Sequence, residues 1–271
     1  MLTRHAFASR ALGEELRYSV YRSDRASAAL GPLPVIYLLH GRGDCADSWE
    51  QALGDLEQLA PMIAVMPDAP WNSRASYYVD SLHRDGRAVE TAFVRDLVEH
   101  VDATLPTFPS REGRAVAGYS MGGYGALRLG FAHPSLFGAV IALSPAVYDP
   151  EPPDGSSARE HGAFGRGELA FDPTRYSELG YPALLAGYPS DLPLEVVLAV
   201  GDAEEAHPGA SPDLGLAQQT ALLAERATSV AGLRVSFREY PGGHDFGVWR
   251  PALRDSLKRL ALFAGGQRTA R

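Results

Sequence analysis

The sequence has little or nothing of several features, and each absence excludes a class of protein. Its single cysteine is Cys45, so no disulfide can form within the chain. No apolar run reaches the ~18 residues of a membrane-spanning helix, so we expect no membrane span. The N-terminus has no basic start followed by an apolar segment, which predicts no signal peptide and a cytoplasmic location. Acidic residues outnumber basic ones, and the formal net charge of −8 argues against nucleic acid as a partner.

Buried strands alternate with helical segments along the 271 residues, a pattern typical of a mostly parallel sheet with helices on both faces. Residues 34–39 and 63–66 are continuously apolar, as strands buried on both faces are. We therefore predict a single α/β domain over residues 1–271. The predicted strands are 16–22, 34–39, 63–66, 77–79, 114–118, 138–143, 194–200 and 233–240, and the predicted helices are 47–59, 88–104, 121 to about 133, 214–230 and 248–263.

Residues 149–190 interrupt this alternation. They hold many proline and glycine residues, mixed charges and few apolar runs, with a short helix predicted near 175–186. We interpret the segment as a loop-rich excursion over the strand ends, on the face where an active site would lie, because such loops usually shape a binding pocket. An irregular surface loop without a role is the alternative.

A Gly-x-Ser-x-Gly motif follows an apolar stretch, since residues 115–125 read AVAGYSMGGYG. With the helix-forming segment after it, this is the sequence form of a nucleophile elbow, a sharp strand-to-helix turn that exposes a serine hydroxyl. Glycine two residues before and two after the serine allows the strand and the helix to approach closely. Ser120 is therefore the candidate nucleophile. The alternative is a glycine-rich turn in which Ser120 only caps the helix.

A serine hydroxyl needs a base within hydrogen-bond reach, and that base needs an acid to orient it. Where this elbow occurs on a parallel sheet, the chain order is serine, acid, histidine. His244 lies in the segment PGGHDF directly after the last predicted strand, where two glycines allow a tight loop. We predict that His244 is the base. His161, in the long excursion, and His207, between a strand and a helix, also follow the elbow.

The acid is expected after the penultimate strand, where residues 200–205 read VGDAEE. A Gly-x-x-acid spacing counted from Gly201 favours Glu204. Asp202 is the alternative acid because it is closer to the strand end, and Glu225 on the following helix is a more remote candidate. For each of these carboxylates, the non-functional interpretation is a charge solvated on the surface.

Acyl transfer also needs hydrogen-bond donors for the oxyanion that forms on the substrate carbonyl. The backbone N–H of Met121, directly after the candidate nucleophile, supplies the first donor. The second is expected from the loop after the early central strand, and the Arg42 N–H fits that position. Gly41 allows this backbone to turn inward, and His40 is expected to pack or to hydrogen-bond locally.

These motifs resemble those of the esterase branch of the α/β-hydrolase fold, which includes esterase D (S-formylglutathione hydrolase), feruloyl and acetyl-xylan esterases, enterochelin esterases and the antigen 85 mycolyltransferases. Besides the serine and histidine segments, the matching stretches are LLHG at 38–41, MPD at 66–68, YYVD at 77–80, HPSLF at 133–137 and LS at 143–144. The resemblance implies a serine hydrolase of carboxylic esters with no cofactor or metal. It assigns Ser120 as nucleophile, His244 as base, and Met121 and Arg42 as oxyanion donors. Many relatives carry Asp where this chain has Glu204, so the acid departs from the family pattern.

We therefore predict a serine carboxylesterase that hydrolyses small or aromatic esters through an acyl-enzyme. Its substrate pocket is expected to include Trp49, Trp71 and Tyr119, which lie in or beside loops at the predicted carboxyl ends of strands. An acyltransferase that uses the same serine, and a non-catalytic binding protein of the same fold, are the alternatives. The expected partner is a small-molecule ester.

Overall fold

A computed structural model of the chain describes residues 1–69, 71, 73–205 and 215–260. Its strands are β1 (Leu2–Ser9), β2 (Glu14–Arg22), β3 (Val35–Leu39), β4 (Ile63–Pro67), β5 (Leu82–His83), β6 (Arg114–Tyr119), β7 (Ala139–Leu143), β8 (Arg166–Gly167), β9 (Leu194–Gly201) and β10 (Leu233–Tyr240). Eight of them form one sheet in the order β1-β2-β4-β3-β6-β7-β9-β10, and β5 pairs with β8 separately. Only the pairs β1–β2 and β2–β4 of the large sheet are antiparallel.

Helices cover both faces of this sheet. They are α1 (Asp24–Ser27), α2 (Glu50–Leu56), α3 (Val89–Thr91), α4 (Val98–Thr104), α5 (Met121–Ala132), α6 (Ser157–Glu160), α7 (Pro173–Leu179), α8 (Tyr181–Ala186), α9 (Leu216–Thr228) and α10 (Phe246–Arg259). A π-helical stretch over Ala92–Leu97 joins α3 to α4, and short 3₁₀ turns cover Ala46–Trp49 and Arg111–Gly113.

Two separate apolar clusters form the core, one on each face of the sheet. Val35, Tyr37 and Leu39 of β3 enter the cluster that includes side chains of α5 and α9. Ile36 and Leu38, which point the other way along the same strand, enter the cluster that includes side chains of α2 and α10. Every residue of β3, β4 and β7 is buried, which explains their continuously apolar sequences. The predicted fold class, a mostly parallel sheet covered on both faces, is confirmed.

The structure differs from the predicted strands at the tyrosine pair and at the N-terminus. Residues 77–79 are not a strand, because Tyr77 and Tyr78 adopt left-handed backbone angles with φ of 50° and 56°. This turn brings the Tyr78 hydroxyl to the carbonyl oxygen of His40, to which it donates at 2.9 Å. β1 was not predicted, since its residues do not alternate in polarity, and it pairs with β2 along the outer edge of the sheet.

The segment 149–190 contains more regular structure than its composition indicates. It includes α6, β8, α7 and α8, and β8 pairs with β5. The single helix predicted near 175–186 is two helices, because the extended backbone of Gly180 (φ −70°, ψ 158°) separates α7 from α8. In the described parts of the chain, no helix has the length and apolar character needed to cross a membrane.

Candidate active site

The Gly-x-Ser-x-Gly motif forms a sharp turn between β6 and α5. Ser120 is the residue between them, and its backbone is strained, with φ of 56° and ψ of −121°. A Cβ on Gly118 would lie 2.1 Å from the carbonyl oxygen of Gly122, so the glycines are needed for strand and helix to meet. The N–H of Ser120 donates to the Leu143 carbonyl at 2.9 Å, and the N–H of Ala146 donates to the Ser120 carbonyl at 2.9 Å. These bonds tie the turn to the end of the neighbouring strand β7.

His244 and Glu204 form a hydrogen-bonded pair after the last two strands. Nδ1 of His244 lies 2.8 Å from Oε2 of Glu204. The Glu204 side chain has no exposed surface, whereas the His244 side chain is 37% exposed. The other carboxylate oxygen of Glu204 accepts from the Gly201 N–H at 3.3 Å. A buried acid therefore orients a partly exposed imidazole, which is the arrangement a general base requires.

The other two candidate acids have different partners. Oδ1 of Asp202 accepts from the N–H of Gly242 at 3.0 Å and so braces the loop that carries His244. Gly242 has φ of +131°, a conformation that favours glycine. Glu225 lies in α9, and among the described residues no hydrogen bond joins it to His244. Of the three carboxylates, the structure brings only Glu204 to the imidazole.

Trp249 of α10 also contacts the histidine. Its ring meets the His244 ring edge-on, with centroids 5.0 Å apart. Its indole N–H donates to the buried hydroxyl of Ser144 at 2.9 Å. Asp245 caps α10 by accepting from the Gly247 N–H, so the helix begins directly after the histidine. The imidazole therefore contacts both a buried carboxylate and an anchored indole.

Local hydrogen bonds fix the backbone of the loop after β3, where the second oxyanion donor is predicted. The N–H of Ala69 donates to Nε2 of His40 at 2.9 Å, which leaves Nδ1 as the protonated nitrogen, and Nδ1 bonds the Gly41 carbonyl at 2.7 Å. Burial lowers the pKa of His40, so its ring stays neutral. Because C=O and N–H point in opposite directions across a trans peptide, this bond aims the Arg42 N–H away from His40. Within the part of the chain that the structure describes, the amides of Arg42 and Met121 donate no hydrogen bond.

The aromatic residues predicted for the substrate pocket are mostly core residues. Trp49 is 0% exposed and Tyr119 is 1% exposed, and their rings pack against each other with centroids 5.0 Å apart. The structure therefore corrects their assignment, because buried rings offer no surface to a substrate. The sequence indicated that these aromatic residues lie near strand ends, but not in which direction each ring points. Trp71 is 9% exposed, and its neighbours at positions 70 and 72 lie outside the described residues.

The remaining histidine candidates do not join this site. His161 lies beside Glu160, with 3.8 Å between Nε2 and the carboxylate, and no contact with His244 or Glu204 is found among the described residues. His207 lies outside the described residues. In those same residues, no group of three or more His, Cys, Asp or Glu side chains is arranged to hold a metal ion.

The α/β-hydrolase class is defined by three features that this structure has. They are a mostly parallel sheet, a strained serine at the turn after a central strand, and a histidine–carboxylate pair after the last two strands. The sequence itself is more specific. The family model "Esterase", described as "Putative esterase", matches residues 9–260. The chain belongs to this esterase family.

Individual relatives agree with this assignment. Esterase Rv1288 of Mycobacterium tuberculosis (strain ATCC 25618 / H37Rv) is 34% identical over 131 residues, which are 46% of this chain and only 28% of that protein's length. A solved ferulic acid esterase gives a TM-score of 0.74 at 21% identity, covering 97% of this chain and 98% of its own. The S-formylglutathione hydrolase of Agrobacterium tumefaciens gives 0.75 at 19% identity, covering 96% of each chain. At these identities the structural likeness shows the shared fold.

Proposed function

We propose that this protein is a serine carboxylesterase in which Ser120 is the nucleophile, His244 the base and Glu204 the acid. The observation that carries the proposal is the 2.8 Å hydrogen bond between His244 Nδ1 and the fully buried carboxylate of Glu204. An activated serine requires this kind of oriented imidazole. The positive φ of Ser120 supports the same interpretation, because such strain in a residue other than glycine occurs preferentially at functional sites.

In the first half-reaction, Ser120 Oγ attacks the ester carbonyl carbon and His244 Nε2 takes the hydroxyl proton. Because Nδ1–H donates to Glu204, the lone pair of the imidazole is on Nε2, the nitrogen that the reaction needs. The amides of Met121 and Arg42 stabilise the charge on the carbonyl oxygen, and one such donor contributes about 3 kcal/mol in comparable sites. The protonated His244 then passes its proton to the leaving alcohol, and the acyl group stays on Ser120.

In the second half-reaction, water replaces the alcohol. His244 takes a proton from the water as its oxygen attacks the acyl carbonyl, and the same two amides stabilise the second oxyanion. When the tetrahedral intermediate collapses, the proton returns from His244 to Ser120 Oγ and the carboxylic acid leaves. His244 thus acts first as base and then as acid in each half-reaction, while Glu204 stays ionised and orients the imidazole.

We propose small or aromatic carboxylic esters as the substrate class. One structural neighbour is named a ferulic acid esterase and another an S-formylglutathione hydrolase, so a feruloyl ester and a formyl thioester belong in the substrate panel beside short acyl esters. Acyl transfer to an alcohol would use the same acyl-enzyme. Product analysis in the presence of a competing alcohol separates the two reactions. The cytoplasmic location expected from the sequence stays a prediction.

The experiment that tests the proposal compares hydrolysis of p-nitrophenyl acetate by the wild type and by Ser120→Ala. We expect the variant to lose at least about 10⁴-fold in kcat, because no other group in the site replaces the nucleophile. Ser135→Ala is the matched control, since Ser135 is an exposed serine after α5, and it should keep wild-type activity. Turnover by Ser120→Ala at the wild-type rate would refute the assignment. A wild type without turnover would favour the non-catalytic binding protein.

A further inference from the structure

Tyr119, the residue directly before Ser120, reaches across to the oxyanion loop. Its hydroxyl donates to Oδ2 of Asp44 at 2.7 Å. Its ring is 1% exposed and is packed between aromatic side chains on several sides. The ring stacks on Trp249 with centroids 4.3 Å apart, and its edges meet the rings of Trp49 at 5.0 Å and Phe246 at 5.1 Å. The tyrosine is thus a rigid side chain with one polar atom, and that atom bonds the loop.

The loop that Tyr119 reaches is a short closed turn. The N–H of Asp44 donates to the Gly41 carbonyl at 3.3 Å, which closes the turn around Arg42. Arg74 holds its far end, because the Arg74 carbonyl accepts from the Gly43 N–H at 3.2 Å and its guanidinium donates to the Asp44 carbonyl at 3.2 Å. A displacement of Asp44 would therefore move the whole turn, including the Arg42 amide.

The ring of Tyr119 also lies directly against the start of this turn. A Cβ on Gly41 would be 2.6 Å from Cε2 of Tyr119 and 3.3 Å from Oδ2 of Asp44. Real side chains essentially never approach so closely, so glycine is what allows the ring to lie under the turn. Contact from the ring and the hydrogen bond from its hydroxyl together fix how far the turn lies from the elbow.

We propose that the Tyr119–Asp44 hydrogen bond is a positioning clamp that sets the separation of the two oxyanion donors, the amides of Arg42 and Met121. Tyr119 is two residues from Met121, and Asp44 is two residues from Arg42, so the bond joins the two halves of the oxyanion site. The inference rests on the proposed function, in which those amides bind the oxyanion. Burial raises the pKa of Tyr119, so its hydroxyl stays a donor over the working pH range.

The test uses Tyr119→Phe, which keeps the packed ring and removes the hydroxyl. We expect kcat/KM for p-nitrophenyl acetate to fall roughly 10- to 100-fold, mostly in kcat, because an oxyanion donor is displaced and its outright loss costs about 10²- to 10³-fold. The inhibition constant of a trifluoromethyl ketone, which forms a tetrahedral oxyanion adduct, should rise by the same factor. Inhibition by acetate, the planar product, should not change. Asp44→Ala should repeat this pattern, whereas Asp44→Asn keeps an acceptor oxygen and should restore most of the activity.

Tyr21→Phe is the matched control. Tyr21 also donates to a carboxylate, that of Glu57. It pairs with Ala64 near the amino end of β4, whereas the elbow lies at the carboxyl ends of the parallel strands. It should lose stability without losing activity or ketone binding. The clamp would be refuted, and the proposed function kept, if Tyr119→Phe had full activity and unchanged inhibition by the ketone. Asp44→Ala takes its place in this comparison if Tyr119→Phe does not fold. A wild type without esterase activity would instead remove the proposed function, and the clamp with it.

Discussion

Replacing Glu204 by Gln tests which carboxylate serves the histidine. Both oxygens of Glu204 accept hydrogen bonds, one from His244 and one from Gly201. A glutamine amide has one oxygen and one NH₂ group, so it can satisfy only one of these donors. If its oxygen faces Gly201, its NH₂ group faces Nδ1 of His244. The imidazole must then carry its proton on Nε2, where it can no longer act as a base.

The size of the effect follows from the geometry of this pair. A charge-assisted hydrogen bond to a buried carboxylate contributes about 1.5–3 kcal/mol, which gives a lower bound of roughly tenfold to 100-fold in rate. Exchange of the acid for its amide in the serine protease triad lowers kcat by about 10⁴-fold through the wrong tautomer. For Glu204→Gln we therefore expect a loss of about 10²- to 10⁴-fold in kcat. KM should change little, because the Glu204 side chain has no exposed surface with which to touch a substrate.

Steady-state hydrolysis of p-nitrophenyl acetate measures both parameters. Asp202→Asn is the matched control, because it also removes one negative charge but keeps an acceptor oxygen for the Gly242 N–H. Its kcat should fall by less than about tenfold, since no catalytic hydrogen bond is lost. Equal losses in the two variants, or a Glu204→Gln variant with more than a third of wild-type kcat, would refute the reasoning.

Two further predictions concern stability. Gly122→Ala should lower the free energy of unfolding, measured by urea denaturation, by about 3 kcal/mol, because the new Cβ would lie 2.2 Å from the Leu39 carbonyl oxygen. Gly54→Ala, in open space within α2, should instead raise the free energy of unfolding by up to about 1 kcal/mol. Equal effects of the two substitutions would contradict the packing argument. Burial opposes ionisation of Glu90, yet hydrogen bonding to His133 and a nearby guanidinium hold its pKa below the ordinary value. The stability that this ionised carboxylate contributes is present above about pH 4.3 and is lost as the pH falls below that value. Glu90→Gln should therefore lower the free energy of unfolding by about 1–3 kcal/mol near neutral pH, and by less at about pH 3. The same difference between wild type and variant at both pH values would contradict this prediction.

Much of the fold follows from local patterns in the sequence. The apolar runs that became β3, β4 and β7 are buried on both faces, so their composition alone marks them as central strands. The elbow is also visible in the sequence, because its glycines are required: a Cβ on Gly118 would lie 2.1 Å from the carbonyl oxygen of Gly122. The spacing after Gly201 favoured Glu204, and the structure brings that carboxylate to His244.

Other features depend on contacts distant in sequence, which a local pattern does not reveal. The tyrosines at 77 and 78 have the β-propensity of a strand, but the hydrogen bond from Tyr78 to the His40 carbonyl accompanies a left-handed turn. Tyr119 is the last residue of β6, a position where a pocket residue could lie, yet its ring packs on Trp249 of α10 and its hydroxyl bonds the loop after β3. The direction of a side chain at a strand end is set by tertiary packing.

The measurement that tests the central claim most directly is active-site labelling with a fluorophosphonate, followed by peptide mass spectrometry. The account predicts one covalent adduct on the peptide that carries Ser120, none in Ser120→Ala, and much slower labelling in His244→Gln. Absence of labelling in the folded wild-type protein, or an adduct on a different serine, would contradict it.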